Sequence, residues 1–198
     1  YDIEIINKLF EKKKITKDIS IICNGFKQKS YTSRIARLLN TGFKNVTPVL
    51  DNKEELDAYR RSVKVPFKLG IRVAAEEEPT FPFYTSRLGL RAKDILEFYV
   101  DHIEGYEDKF QLKMLHIFLN KGIKDDIYYW SELTKVINLY CQLKKICPEL
   151  DSINIGGGFP IKHSLGFEYN YQFMINEIVR NIKVACKRSK VPMPHIFT

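Results

Sequence analysis

Hydrophobic and polar positions along this chain switch repeatedly between a helical and a strand period. Apolar residues at Ile3, Ile5, Ile6, Leu9 and Phe10 predict a short amphipathic helix over 3–15. The β-branched run Asp18 to Cys23 predicts a strand, closed by the turn Asn24-Gly25-Phe26-Lys27. A helix through Ser33 to Leu39 stops at Asn40-Thr41-Gly42, and Asn45 to Leu50 forms the next strand. Asp51 stands where an N-cap belongs, with Glu54 as its capping-box partner, ahead of a helix over 52–61. Phe67 to Ala75 predicts a strand, 91–103 a helix and Phe110 to Leu119 a strand. In the longest helix, 125–147, Ile127, Trp130, Leu133, Ile137, Tyr140 and Leu143 recur every three or four residues, and Pro148 ends it. A strand at Ile153 to Ile155 runs into Gly156-Gly157-Gly158; a helix over 170–188 and a strand at His195 to Thr198 complete the pattern.

Strict alternation of strand and helix with short loops requires parallel strands joined by helical crossovers, so the class is α/β, in a single domain over 1–198. A doubly wound sheet and a β/α barrel both fit. In either, ligands bind at the carboxyl ends of the strands. The residues to watch are Asn24-Gly25, Arg72, His116 to Gly122 and Gly156 to Pro160.

Composition narrows the picture. With 198 residues, 44% of them hydrophobic, the chain can bury one substantial core. No apolar run approaches the roughly 18 residues of a membrane span and no charged leader precedes an apolar stretch, so a soluble, cytoplasmic protein with no membrane partner is expected. Cys23, Cys141, Cys147 and Cys186 lie within apolar or helical patterns without CxxC spacing, which points to buried free thiols and no metal site. The net charge of +8 could mark a basic nucleic-acid-binding domain. That alternative requires cations clustered on one face beside exposed aromatics, whereas here they are scattered and the aromatics fall on apolar faces, so no nucleic-acid partner is expected.

Three glycines at a strand end allow a tight turn, or a loop whose N–H groups cradle an anion. Glu76-Glu77-Glu78-Pro79 reads as a solvated acidic run, because three adjacent acids cannot all face one ion. Arg72 lies on a strand expected to be interior, where an ion pair with a barrel carboxylate competes with a catalytic role.

Six segments, "IICNGFKQKSYTSRIARLL", "GIRV", "YTSRLGLRAKDILEFY", "LKMLHIFLNKGIKD", "YCQLKKICPELDSINIGGGFP" and "PHIFT", resemble in order and spacing the pyridoxal-phosphate barrel domain of the alanine-racemase-like (fold III) decarboxylases, and most of all arginine decarboxylases. The resemblance implies a segment of a (β/α)8 TIM-type barrel, about strands three to eight. It places the Schiff-base lysine upstream of Tyr1, so no catalytic residue is expected within the chain, which alone would be inactive. It also places a Glu-containing segment after Thr198, and a C-terminal β domain that completes the site across a dimer or higher homo-oligomer.

For the cofactor, pyridoxal 5'-phosphate, the resemblance implies phosphate contacts from Gly156, Gly157 and Gly158. Phe118 occupies the position of a family histidine that stacks on the pyridine ring, and Lys121 that of a phosphate-contacting serine. His116 and Asn120 share the strand face of Phe118 and are further candidates, His116 alternatively being a core histidine with a satisfied ring. Arg87 belongs to a segment that resembles the [RK]-[LF]-G element placing a cation near the cofactor's phenolic oxygen or the active-site mouth, the alternative being an exposed loop arginine. The implied reaction is decarboxylation of a basic amino acid, L-arginine first, to agmatine and CO2 in polyamine synthesis. Alternatives are a diaminopimelate, ornithine or lysine decarboxylase, or a racemase-type protein.

Overall fold

The computed structural model describes residues 2–75, 88–119, 126–157, 159 and 168–198. Within them the order is α1 (Asp2–Glu11), β1 (Ile21–Cys23), α2 (Lys29–Asn40), β2 (Val46–Leu50), α3 (Glu54–Ser62) and β3 (Phe67–Arg72). It continues through α4 (Ala92–His102), β4 (Phe110–His116), α5 (Asp126–Leu143), β5 (Ser152–Asn154), α6 (Tyr171–Ser189) and β6 (His195–Phe197). All six strands are parallel, and they lie side by side in sequence order. A doubly wound sheet needs a point where strand order reverses. None occurs here, so the fold is a curled segment of a β/α barrel.

The two faces of the sheet carry different chemistry. Leu69, Ile71, Leu115, Ile117, Ile153 and Ile155 join the helix residues Ile35, Leu56, Tyr59, Ile95, Phe98 and Ile182 in one apolar core. That burial supplies the main stabilisation, about 1.5–3 kcal/mol for each large side chain. The opposite, inner face carries Thr47, Val49, Gly70, Met114 and Ser152. A Cβ on Gly70 would lie 3.1 Å from Val49 and 3.3 Å from Met114, so glycine lets these three strands pack closely there.

A register shift sets which residues of β4 face inward. Leu69 pairs with Leu112 but Gly70 pairs with Met114, leaving Lys113 as the extra residue of a bulge. Leu112 packs in the helix-side core. Unbroken alternation would then send Met114 and His116 to that side as well. The bulge turns both to the inner face and continues the row Arg72–His116–Asn154 across β3, β4 and β5.

One local expectation is corrected. Asp51 does not cap α3: Asn52 Oδ1 accepts the Glu55 N–H at 3.0 Å, and Glu55 Oε2 reaches back to accept the Asp51 N–H at 3.1 Å. The reciprocal bonding of a capping box therefore sits one residue along, and it frees the Asp51 carboxylate for the inner face. The four cysteines are buried free thiols. Among the described residues no helix is long and apolar enough to cross a membrane, and no group of His, Cys, Asp or Glu could hold a metal ion.

Candidate active site

The carboxyl ends of β2 to β5 converge on a buried polar row. Asp51 follows β2, Arg72 ends β3, His116 ends β4 and Asn154 ends β5. Arg72 Nη1 lies 3.8 Å from Asp51 Oδ1, so the ion pair is formed and Arg72 is not left unpaired. Asp51 is only 2% exposed, yet among the described residues neither of its carboxylate oxygens accepts a hydrogen bond. Behind the row, the fully buried Lys27 ammonium lies 3.2 Å from Glu55 Oε2 and donates to the carbonyls of Gly25 and Val49. Burial raises the pKa of Glu55, and the Lys27 charge offsets part of that rise.

His116 is 3% exposed, and among the described residues its Nδ1 has no hydrogen-bond partner. Burial foremost, then the Arg72 charge, brings its pKa down to about 4, while Asn154 pulls the other way. The imidazole is therefore neutral at neutral pH. The ring is buried as a core histidine would be and interacts with Asn154, while its Nδ1 is left without a partner among the described residues. An orphaned buried nitrogen is costly unless something completes it, as ligands do in binding sites.

Phe118 stands just beyond β4. It is 41% exposed at the mouth of the row, with the Arg72 guanidinium 5.5 Å from its ring centroid. Gly156 follows β5 at φ +68°, and a Cβ there would lie 2.7 Å from the Ile117 carbonyl oxygen. Its N–H is donated to Asn154 Oδ1 at 2.9 Å. Gly156 thus holds the loop against β4, and its N–H is engaged within the chain, contrary to the expectation that all three glycines offer theirs to a phosphate. Gly157 differs: nothing lies within 4 Å of its Cβ position, and among the described residues its N–H has no partner. Gly158, Asn120 and Arg87 lie outside the described residues, as do Lys121 and the acidic run at 76–79.

The element that follows Arg87 is in place. Gly89 donates its N–H to the Asp51 carbonyl, Leu90 donates to that of Arg72, and a Cβ on Gly89 would lie 2.8 Å from the Arg72 oxygen. Gly89 and Leu90 are thus tied to the backbone at the ends of β2 and β3.

Among the described residues these features suit a phosphorylated aromatic ligand: a loop N–H without a partner and with space beside it, a half-exposed ring, an arginine and an uncompleted imidazole nitrogen. The family model described as the pyridoxal-binding domain of the pyridoxal-dependent decarboxylases matches residues 10–197. The chain belongs to this family.

Among relatives of this decarboxylase domain, the biosynthetic arginine decarboxylase of Citrifermentans bemidjiense is 23% identical over 197 residues, covering 91% of this chain and 31% of the relative. That of Phocaeicola vulgatus is 24% identical over the same length, with the same coverage of both chains. The chain spans about a third of the length of these relatives. In structure it is similar to the biosynthetic arginine decarboxylase of Campylobacter jejuni, with a TM-score of 0.72 at 23% identity over 92% of this chain and 31% of that one. The lysine decarboxylase of Selenomonas ruminantium gives a TM-score of 0.66 at 15% identity, covering 99% and 47% of the two chains.

Lys27, Asp51 and Glu55 went unnoticed in the sequence as members of the site. The available signal was a lysine in the turn after one strand and an acid directly after another, both at carboxyl ends.

Proposed function

We propose that this chain forms one wall of the pyridoxal phosphate site in a decarboxylase of basic amino acids, taking L-arginine to agmatine and CO2 in polyamine synthesis. The observation that carries the reading is the convergence, at the carboxyl ends of four parallel strands, of the open Gly157 loop, the exposed Phe118 ring and the uncompleted His116 nitrogen. Family membership gives that convergence its ligand. The arginine decarboxylases among the relatives favour arginine.

When bound, pyridoxal phosphate supplies a sink for the electron pair released as the carboxylate leaves. The residues of this chain bind and orient. Gly157 would offer its N–H to the phosphate, and Gly156, packed against β4, would hold that donor in place beforehand. Phe118 would pack on the aromatic ring, and the neutral His116 would offer Nδ1 to it without adding another buried cation beside Arg72. Gly158, Asn120 and Arg87, outside the described residues, are included in the proposal as further cofactor contacts on the strength of the sequence resemblance alone. The reading includes a cytoplasmic homo-oligomer acting on a small-molecule substrate.

The test is agmatine and CO2 release by the full-length protein supplied with cofactor and L-arginine, with L-lysine, L-ornithine and meso-diaminopimelate as competitors. Preferential turnover of arginine supports the proposal. Preferential turnover of another of these acids replaces the substrate and keeps the site, and racemisation without CO2 release overturns the reaction.

A further inference from the structure

Phe118 is held by charge where packing does not hold it. With 41% of its surface exposed, the ring lacks the surrounding contacts that fix a core side chain. Among the described residues, the Arg72 guanidinium lies 5.5 Å from the ring centroid and the Gly156 Cβ position 3.6 Å from Phe118 Cδ2. Arg72 is itself placed by Asp51, 3.8 Å away. Among the described residues the Asp51 carboxylate accepts no hydrogen bond, and the cation paired with it is the Arg72 guanidinium. A planar guanidinium prefers to lie on an aromatic face, and that attraction grows where water is excluded.

We propose that Asp51, Arg72 and Phe118 act as one unit, with Asp51 a positioning residue that works through Arg72 to make Phe118 a positively backed wall for the cofactor ring. The inference rests on the cofactor reading above. A bare phenyl face is electron-rich and poorly suited to a ligand carrying phosphate and phenolate charge. A cation behind the ring offsets that face potential and brings positive charge within one ring's thickness of the ligand. The unit thereby supplies charge at a position where phenylalanine can carry none. The Lys27–Glu55 pair behind it keeps Asp51 in place, because Glu55 Oε2 accepts the Asp51 N–H.

The experiment is an equilibrium titration of the full-length apo-protein with pyridoxal phosphate, followed by cofactor absorbance, with unfolding midpoints measured on the same samples. Asp51→Asn, which keeps the shape of the side chain, is expected to weaken affinity about fivefold, and Phe118→Leu about tenfold. The double variant is expected to be no weaker than Phe118→Leu, because Asp51 has no effect once the ring is gone. Arg72→Lys keeps the charge facing Asp51 but loses the planar stack, and is expected to match Phe118→Leu. If Asp51→Asn does not fold, the Arg72→Lys result decides. Wild-type affinity in Asp51→Asn or Arg72→Lys overturns the inference, as does a double variant in which the two losses multiply. Failure of the wild-type protein itself to take up cofactor overturns the cofactor reading, and the inference with it.

Discussion

The carbonyl oxygen of Ile117 lies 2.7 Å from the position a Cβ would take on Gly156, while nothing approaches within 4 Å of the same position on Gly157. Two adjacent glycines therefore serve different ends. Gly156→Ala forces a backbone contact apart and strains a φ of +68°, and is expected to cost about 1–3 kcal/mol of stability. Gly157→Ala is expected to stay within about 0.5 kcal/mol of wild type. Chemical denaturation of both variants checks the difference; equal costs would show that the loop does not rest on β4 as described.

Lys27 and Glu55 form a buried pair, and their coupling is measurable. Lys27→Met strands a carboxylate whose pKa burial already raises, and is expected to destabilise the protein by about 3–5 kcal/mol. Adding Glu55→Gln removes the stranded charge and keeps an acceptor for the Asp51 N–H, so much of the loss is expected to return. A double-mutant cycle by urea denaturation reads the coupling; strict additivity would contradict the pair.

His116 gives the fold a pH dependence of known sign. Its pKa is depressed to about 4 in the folded protein against about 6.5 unfolded, so the unfolded chain binds the proton more readily. The contribution is fully present above pH 6.5 and is lost as the pH falls toward 4, amounting to about 3 kcal/mol. Unfolding midpoints from pH 7 to 4 are expected to fall more steeply for wild type than for His116→Gln. Parallel curves would mean that His116 is not buried as a neutral imidazole.

Strand and helix order was legible because alternating periods report which face of each element is apolar, and that is a local property. The Arg72 ion pair was legible for a similar reason: a cation on an interior strand needs a counter-charge. The partner was not, because Asp51 meets Arg72 only once β2 and β3 are in register, and locally its place before a helix imitates an N-cap. Lys27 and Glu55 were hidden in the same way, each reading as a solvated residue until the strand ends enclose them. The bulge left one trace, the apolar doublet Met114-Leu115 that interrupts the alternation of β4. Nothing local showed that the shift would carry His116 to the inner face. For the loop, sequence reasoning located the glycines but not their division of labour, which depends on where β4 runs beside Gly156.

The most direct measurement of the cofactor site is the pyridoxal phosphate affinity of the full-length protein with Gly157→Val. Among the described residues nothing lies within 4 Å of the Gly157 Cβ position, so stability should change little, while on the proposed reading a branched group would stand where the phosphate approaches the backbone. The expected result is a loss of affinity of tenfold or more, by order of magnitude, partly reversed by excess cofactor, with a near-native unfolding midpoint for the apo-protein. Wild-type affinity in this variant would contradict a phosphate at Gly157, and with it the assignment of this wall to the cofactor.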